Sequence, residues 1–142
     1  LFIIKPREVL NMKDNSCQDF QANVEKYLIR HKSVLDIMTK YQESAARVNR
    51  ALAKSVTECG CIKIEAHKQS VPQDVTFTCL KDYMSSHVDG ELCPHCKETL
   101  SKEIGHSLFY LAALCNLTGL KMDSVMQEEN NAIATLGFYY LS

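Results

Sequence analysis

Apolar residues recur at helical spacing in four stretches of the chain, separated by short polar or glycine-containing segments. The first helix is predicted to begin at Ser16 and the second after Ser33, because serine is a favoured N-cap residue. The second stretch extends over about six turns, and Cys59-Gly60-Cys61 is predicted to end it near Glu58. Its apolar positions are Val34, Ile37, Met38, Tyr41, Ala45, Val48, Leu52 and Val56.

The second half of the chain is less regular before it becomes helical again. Residues 61–75 are predicted to form a loop with a brief extended piece, and a short helix is predicted over 77–87, ending at Asp89-Gly90. A long helix is expected from Cys93 to Gly119, followed by a last helix that Asp123 caps and that continues to about Thr135. The apolar tail after it is expected to dock on a neighbour, in this chain or in a second copy.

These elements predict an all-α fold of four to five helices with a cysteine-rich loop region, since no stretch requires a sheet. A chain of 142 residues corresponds to one domain. We expect residues 1–15 to be an irregular N-terminal extension and residues 16–142 to form the helical domain.

Charge and hydropathy narrow the classes of partner. The formal net charge is −1, from 16 basic and 17 acidic residues, which does not favour nucleic acid or an anionic membrane as a partner. No apolar run is long enough to cross a bilayer, and Lys5-Pro6-Arg7 interrupts the apolar start, so no signal-peptide core is predicted. We therefore expect a cytoplasmic protein.

The seven cysteines are an odd number, so they cannot all pair within one chain. In a reducing compartment, clustered cysteines indicate metal binding in preference to disulfide bonds. Cys59 and Cys61 end one predicted helix, and Cys93 and Cys96 begin another. If these helices are antiparallel neighbours, the two pairs meet and form a closed Cys₄ zinc site with a structural role.

Other interpretations of the cysteines and nearby histidines remain open. One alternative is that the four thiols are small buried side chains that bind no metal. The other is that Cys93 and Cys96 form a redox dithiol, because a helix N-terminus lowers a thiol pKa. The remaining cysteines are predicted to lie in the core, and three histidines lie near enough in sequence to replace a ligand. These residues are Cys17, Cys79 and Cys115, and His67, His87 and His95.

A second motif carries a resemblance to a known family. This motif begins with Glu103-Ile104-Gly105-His106 and continues with the apolar run Leu108–Leu114. Asn116–Leu120 and Met122–Met126 follow it. The whole stretch resembles the second metal-binding helix of the MazG-like family and the turn after that helix. Glu43-Ser44-Ala45-Ala46-Arg47 is the best match to the family's first motif. The resemblance implies an all-α, homodimeric fold that hydrolyses nucleoside triphosphates to monophosphate and pyrophosphate with Mg²⁺ held by carboxylates.

The departures from that pattern remove most of the acids. Glu43 and Glu103 are present, but Ser44, Arg47 and His106 stand where the family has carboxylates. We therefore predict no catalytic residues and expect Arg47 and His106 to pair with the two glutamates. The alternative is that Glu43, Glu103 and His106 form an atypical Mg²⁺ site of an active nucleoside triphosphate pyrophosphohydrolase; a third possibility is that the motifs are misaligned.

The sequence thus predicts a degenerate MazG-like domain with a structural zinc, which binds a nucleotide or a protein and forms a homodimer; its cofactor-binding residues are unknown. A zinc-dependent nucleic-acid-binding module is disfavoured by the neutral charge. One constraint accompanies this prediction. Glu43 lies ~24 Å of helix before Cys59, whereas Glu103 lies only ~10 Å after Cys96, so the two pairs cannot be level in a straight antiparallel hairpin.

Overall fold

The computed structural model describes residues 16–141 and confirms the all-α class, with one small sheet added. The predicted extension over residues 1–15 lies outside the described residues. The α-helices are α1 (Ser16–Tyr27), α2 (Val34–Lys54), α3 (Pro94–Thr118) and α4 (Met122–Leu136). A π-helical turn, Ser55–Cys59, extends α2, and 3₁₀ turns cover Phe77–Tyr83 and Gly137–Tyr139.

The α2–α3 hairpin is the centre of the fold, and α1 packs on the C-terminal half of α3. The hydrophobic core lies where α1 packs on α3, and it is small. Its buried residues are Val24, Ile37, Ala112, Ala113, Cys115 and Met122. Gln21 ties α1 to the start of α4, because its amide donates to the Leu120 carbonyl oxygen at 2.8 Å and accepts from the Met122 N–H at 2.8 Å. This core holds the hairpin closed at the end opposite the four clustered cysteines.

The region between α2 and α3 corrects two expectations. Strands β1 (Ile62–Ile64) and β2 (Val88–Gly90) form an antiparallel pair, with Ile62 opposite Gly90. The brief extended piece is therefore confirmed, but the helix expected over 77–87 is only a 3₁₀ turn that ends at Tyr83. Asp89-Gly90 belongs to β2 and does not end a helix, because pairing with β1 satisfies the backbone groups of this segment.

The ends of α3 agree with the prediction from the sequence, whereas the start of α4 does not. Cys93 caps α3, and Gly119 ends it in the left-handed conformation at φ 72°. Asp123 does not cap α4: Lys121 is the N-cap residue, and the Asp123 carboxylate accepts from the Ser124 N–H within the first turn. Within the described part of the chain, no helix is long and apolar enough to cross a membrane.

The apolar stripes of α2 and α3 are only partly buried. On α2, Ile37 is buried, whereas Met38 and Leu52 are exposed; on α3, Ile104 and Leu108 are exposed as well. The tail also docks only in part, since Tyr139 stacks on Phe77 with ring centroids 5.3 Å apart, whereas Leu141 is fully exposed.

Candidate metal centre

Cys59 and Cys61 are presented by the end of α2. The π-helical turn leads directly into Gly60, whose positive φ of 75° reverses the chain. The Gly60 N–H donates to the Ser55 carbonyl oxygen at 2.9 Å, which closes the turn, and the Cys61 thiol lies 3.7 Å from the same oxygen. Glycine is suited to this position because a left-handed backbone costs an L-residue about 1–2 kcal/mol.

Cys93 and Cys96 are presented by the start of α3. Cys93 is the N-cap residue, and its sulfur accepts from the Cys96 N–H at 3.4 Å. Pro94 occupies the first turn, where its missing N–H costs nothing and its fixed φ favours the helix. Cys-x-x-Cys at a helix start therefore directs both sulfur atoms to the same side of the turn.

The β1–β2 pair brings the two presenting segments together. Cys61 immediately precedes β1, and Gly90 approaches it so closely that a Cβ built on Gly90 would lie 2.8 Å from the Cys61 carbonyl oxygen. Ile62, opposite Gly90, is buried and anchors the pair. A glycine at 90 is thus needed both for this approach and for its φ of 90°.

The four sulfur atoms converge within 4.8 Å of one another. The Cys59 and Cys93 sulfurs are 3.8 Å apart, and four thiolates at about 2.3 Å from a tetrahedral Zn²⁺ would be separated by about 3.8 Å. All four cysteines are free thiols; Cys96 is buried, and Cys59 is exposed. Among residues 16–141, this is the only group of three or more cysteine, histidine, aspartate or glutamate side chains that could hold a metal ion.

The four neighbouring thiols shift each other's pKa values in opposite directions. Hydrogen bonding from the Cys96 N–H and thiol lowers the pKa of Cys93 to about 7. The pKa of Cys96 rises to about 12: a hydrogen bond with Ser55 opposes the rise, but burial and the neighbouring thiols outweigh it. One thiolate in this group disfavours the next, so four thiolates this close together need a cation between them.

The other cysteines and histidines lie outside this group. Cys115 is buried and Cys17 is half-buried, as expected of core residues, but Cys79 is exposed, so its predicted core position is wrong. It lies on a 3₁₀ turn with no buried residues. His67 and His87 pack edge to face with ring centroids 4.8 Å apart, and neither belongs to the converging group.

The second motif forms ion pairs within α2 and one ion pair, Arg47 with Glu103, between α2 and α3. Arg47 Nε lies 3.4 Å from Glu103 Oε2, and an Arg47 Nη lies 3.6 Å from Glu43. His106 Nδ1 is 3.6 Å from the same Glu103 oxygen. That oxygen is buried and has no hydrogen bond of good geometry, so the Arg47 guanidinium is the fixed positive charge beside it. Lys40 also pairs with Glu43, at 3.0 Å, and lowers the pKa of its carboxyl group.

This arrangement resolves the spacing constraint. Arg47 is four residues closer to the cysteines than Glu43, and its long side chain reaches Glu103. Glu43 pairs instead with Lys40 and Arg47 on its own helix. The salt-bridged pairing is therefore present, whereas Glu43, Glu103 and His106 do not converge into a metal site among the described residues.

A cavity of about 480 Å³ opens beside these ion pairs. It combines basic groups, a buried serine and two aromatic rings, and it lies along one flank of the hairpin. Its lining residues are Lys40, Glu43, Ser44, Arg47, His106, Phe109 and Tyr110.

Comparison of the chain with protein-family models, with curated proteins and with solved structures finds no match.

Proposed function

We propose that this chain is a non-catalytic helical domain of the MazG-like type, which a structural zinc ion holds together and which binds a nucleotide or a protein partner. The convergence of four thiols at the end of α2 and the start of α3 carries the zinc part of the proposal. Zn²⁺ is the ion that tetrahedral thiolate sites hold most commonly.

A structural role follows from the ligand number. Four thiolates complete the tetrahedral shell of Zn²⁺, so no position remains for water or substrate. The ion would join the end of α2 to the start of α3, which the small core at the other end of the hairpin does not reach. Zinc binding would then contribute directly to the free energy of folding, because the ligands converge only in the folded chain.

Elemental analysis of protein purified without chelator tests this role. We expect one zinc per chain in the wild type, none in Cys96→Ser, and one in Cys115→Ser. The two substituted cysteines are equally buried, at 8% and 7% exposure, so the second variant controls for the loss of a buried thiol. A wild-type protein without zinc, or equal zinc loss in both variants, would contradict the proposal.

The absence of catalysis is inferred from the position of Arg47. Mg²⁺ requires oxygen ligands at near-octahedral geometry, and the Arg47 guanidinium lies between the two carboxylates that remain. A fixed cation there repels a divalent ion. We expect no Mg²⁺-dependent pyrophosphate release from any common nucleoside triphosphate. Turnover of wild-type protein that is lost in Glu103→Gln would instead support the alternative, an active pyrophosphohydrolase with Glu43, Glu103 and His106 at its site.

The binding role is proposed for the cavity beside these ion pairs. Arg47 and Lys40 can pair with phosphate oxygens, and the rings of Phe109 and Tyr110 offer faces for a base. Thermal unfolding with and without nucleotide, in the absence of Mg²⁺, tests it. We expect stabilisation that Arg47→Ala abolishes and that Arg50→Ala, an exposed arginine on the same helix, retains. Equal shifts in both variants would place the nucleotide elsewhere, and the lack of any shift would leave a protein as the ligand.

A further inference from the structure

Ser55 is a buried polar residue at the junction between α2 and the π-helical turn that presents Cys59 and Cys61. Only 1% of its surface is exposed, and it is the first residue of that turn. Short π-helical turns at α-helices are rare and are frequently found at functional sites. Because a buried polar residue needs hydrogen-bond partners, the partners of the Ser55 carbonyl oxygen and hydroxyl group indicate its role.

The Ser55 carbonyl oxygen fixes the turn from which Cys61 projects. It accepts from the Gly60 N–H at 2.9 Å, a bond that spans five residues as in a π-helix. The Cys61 sulfur lies 3.7 Å from the same oxygen. That second contact is a hydrogen bond only while Cys61 carries its proton, because a thiolate cannot donate. In a metal-loaded centre, the carbonyl oxygen therefore acts on Cys61 through the Gly60 bond.

The Ser55 hydroxyl group faces the buried side of the cysteine group. Cys96 is the buried member of the four, and the Ser55 side chain hydrogen-bonds with its sulfur. The same hydroxyl group lies 3.0 Å from the Ala51 carbonyl oxygen, to which it donates. A hydroxyl group has one proton, which rotates to suit its acceptors, and a charged acceptor binds it more strongly than a neutral one. Ionisation of Cys96 on metal binding therefore turns this proton from Ala51 to the sulfur.

The charge of a loaded centre makes that hydrogen bond important. Four thiolates around one Zn²⁺ leave a net charge of about −2, and a buried charge is costly unless it is hydrogen-bonded. Water can solvate the sulfur of Cys59, which is exposed, but not that of Cys96. The Cys96 N–H donates to Cys93 and so does not serve its own sulfur. The Ser55 hydroxyl group is thus the donor that is placed to stabilise the buried thiolate.

We propose that Ser55 is a positioning residue of the metal centre, whose hydroxyl group donates to the buried Cys96 thiolate and orients it toward the ion. This inference rests on the proposed zinc site and adds a residue that supports a ligand without binding the ion itself. Groups that hydrogen-bond to metal ligands typically contribute about 10- to 100-fold to metal affinity, so a change of this size is expected when the hydroxyl group is removed.

Ser55→Ala and Ser44→Ala form a matched pair for the test. Ser44 is also buried on α2, at 3% exposure, but its hydroxyl group donates to the Tyr41 carbonyl oxygen, and it lines the cavity beside the ion pairs. In competition with a chromophoric chelator, Ser55→Ala should bind zinc about 10- to 100-fold more weakly than the wild type, whereas Ser44→Ala should bind it equally well. Alanine is the strongest helix former, so we expect α2 to form in both variants.

Replacement of zinc by Co²⁺ gives a readout that a purely structural role would not change. A hydrogen bond lowers the energy of the sulfur lone pairs, so its loss should move the thiolate-to-Co²⁺ charge-transfer absorption to longer wavelength. We expect this shift in Ser55→Ala and not in Ser44→Ala. Ser55→Thr keeps a hydroxyl group and should absorb at the wild-type wavelength.

The outcomes separate this inference from the zinc proposal. A wild-type chain without zinc would remove the zinc site and this inference with it. A zinc-loaded wild type with equal zinc affinity in Ser55→Ala and Ser44→Ala, or with the same Co²⁺ absorption in both, would overturn this inference alone. If Ser55→Ala does not fold, Ser55→Thr decides: absorption at the wild-type wavelength supports the role of the hydroxyl group, and a shifted absorption contradicts it.

Discussion

Gly90→Ala should damage the metal centre even though Gly90 is not a ligand. The added Cβ would lie 2.8 Å from the Cys61 carbonyl oxygen, whereas ordinary contact begins near 3.4 Å. Either β2 or the Cys61 peptide must therefore move by about 0.6 Å, and a binding site tolerates displacements of only about 0.5 Å. Since Cys61 is one of the four converging thiols, the displacement reaches the sulfur geometry directly.

The magnitude separates into a backbone part and a contact part. A positive φ costs an L-residue about 1–2 kcal/mol, which Gly90→Ala shares with Gly119→Ala, where φ is 72° and nothing lies within 4 Å of the added Cβ. The contact with Cys61 is specific to position 90. By analogy with outer-shell changes at metal sites, we expect it to lower zinc affinity by about 10-fold or more.

Competition with a chromophoric chelator measures the zinc affinity of the two variants and the wild type, and thermal unfolding measures their stability. Both variants should melt below the wild type, but only Gly90→Ala should release zinc more readily. If the two variants bind zinc equally well and melt together, the close approach of Gly90 to Cys61 does not hold the site, and the reasoning is refuted.

Three more predictions address the ion pairs, the α1–α4 contact and the thiols. Arg47→Ala should lower the free energy of unfolding by about 1 kcal/mol or more in chemical denaturation, because Glu103 loses a cation at a buried oxygen, whereas Arg50→Ala should have little effect. A hydrogen bond from α1 lowers the pKa of Asp123. The stability that ionised Asp123 contributes to the fold is therefore complete above the ordinary carboxyl pKa and is lost as pH falls through the lowered pKa. Asp123→Asn should remove this loss from an acid-unfolding profile. Cys93 should resist alkylation until a chelator removes the metal and then react rapidly near neutral pH, where its pKa is about 7; rapid labelling of zinc-loaded protein would instead favour a redox dithiol.

The helices could be predicted from the sequence because their signals are local. The cap of α3 at Cys93 and its left-handed end at Gly119 each depend on a few neighbouring residues. The Cys₄ group could also be predicted from the sequence, because one closely spaced cysteine pair ends a predicted helix and a second pair begins the next long helix. The ion pairs of Arg47 with Glu43 and Glu103 agree with the pairing that the departures from the MazG-like pattern predict.

Features that depend on distant partners could not be predicted. Asp89-Gly90 is a reasonable helix stop when considered alone, and only the approach of β1 makes Gly90 part of a strand. Periodicity identified Met38 and Leu108 as apolar positions, but it cannot tell a face that packs within the chain from one that remains exposed. The MazG-like resemblance itself remains a prediction.

The chain between the two cysteine pairs forms a long loop, and the β1–β2 pair holds the two ends of this loop together. Beyond the β1–β2 pair, the Gln69 side chain donates to the Ser85 carbonyl oxygen and accepts from the Ser85 N–H, both at 2.9 Å. Between these residues no side chain is fully buried, and Phe77 reaches the tail through Tyr139. Because the ends are already held together, doubling the length of the enclosed loop would cost only about 0.6 kcal/mol in closure entropy. Homologous chains can therefore differ in length here, and a reporter peptide can be inserted here, while the helical hairpin keeps its geometry.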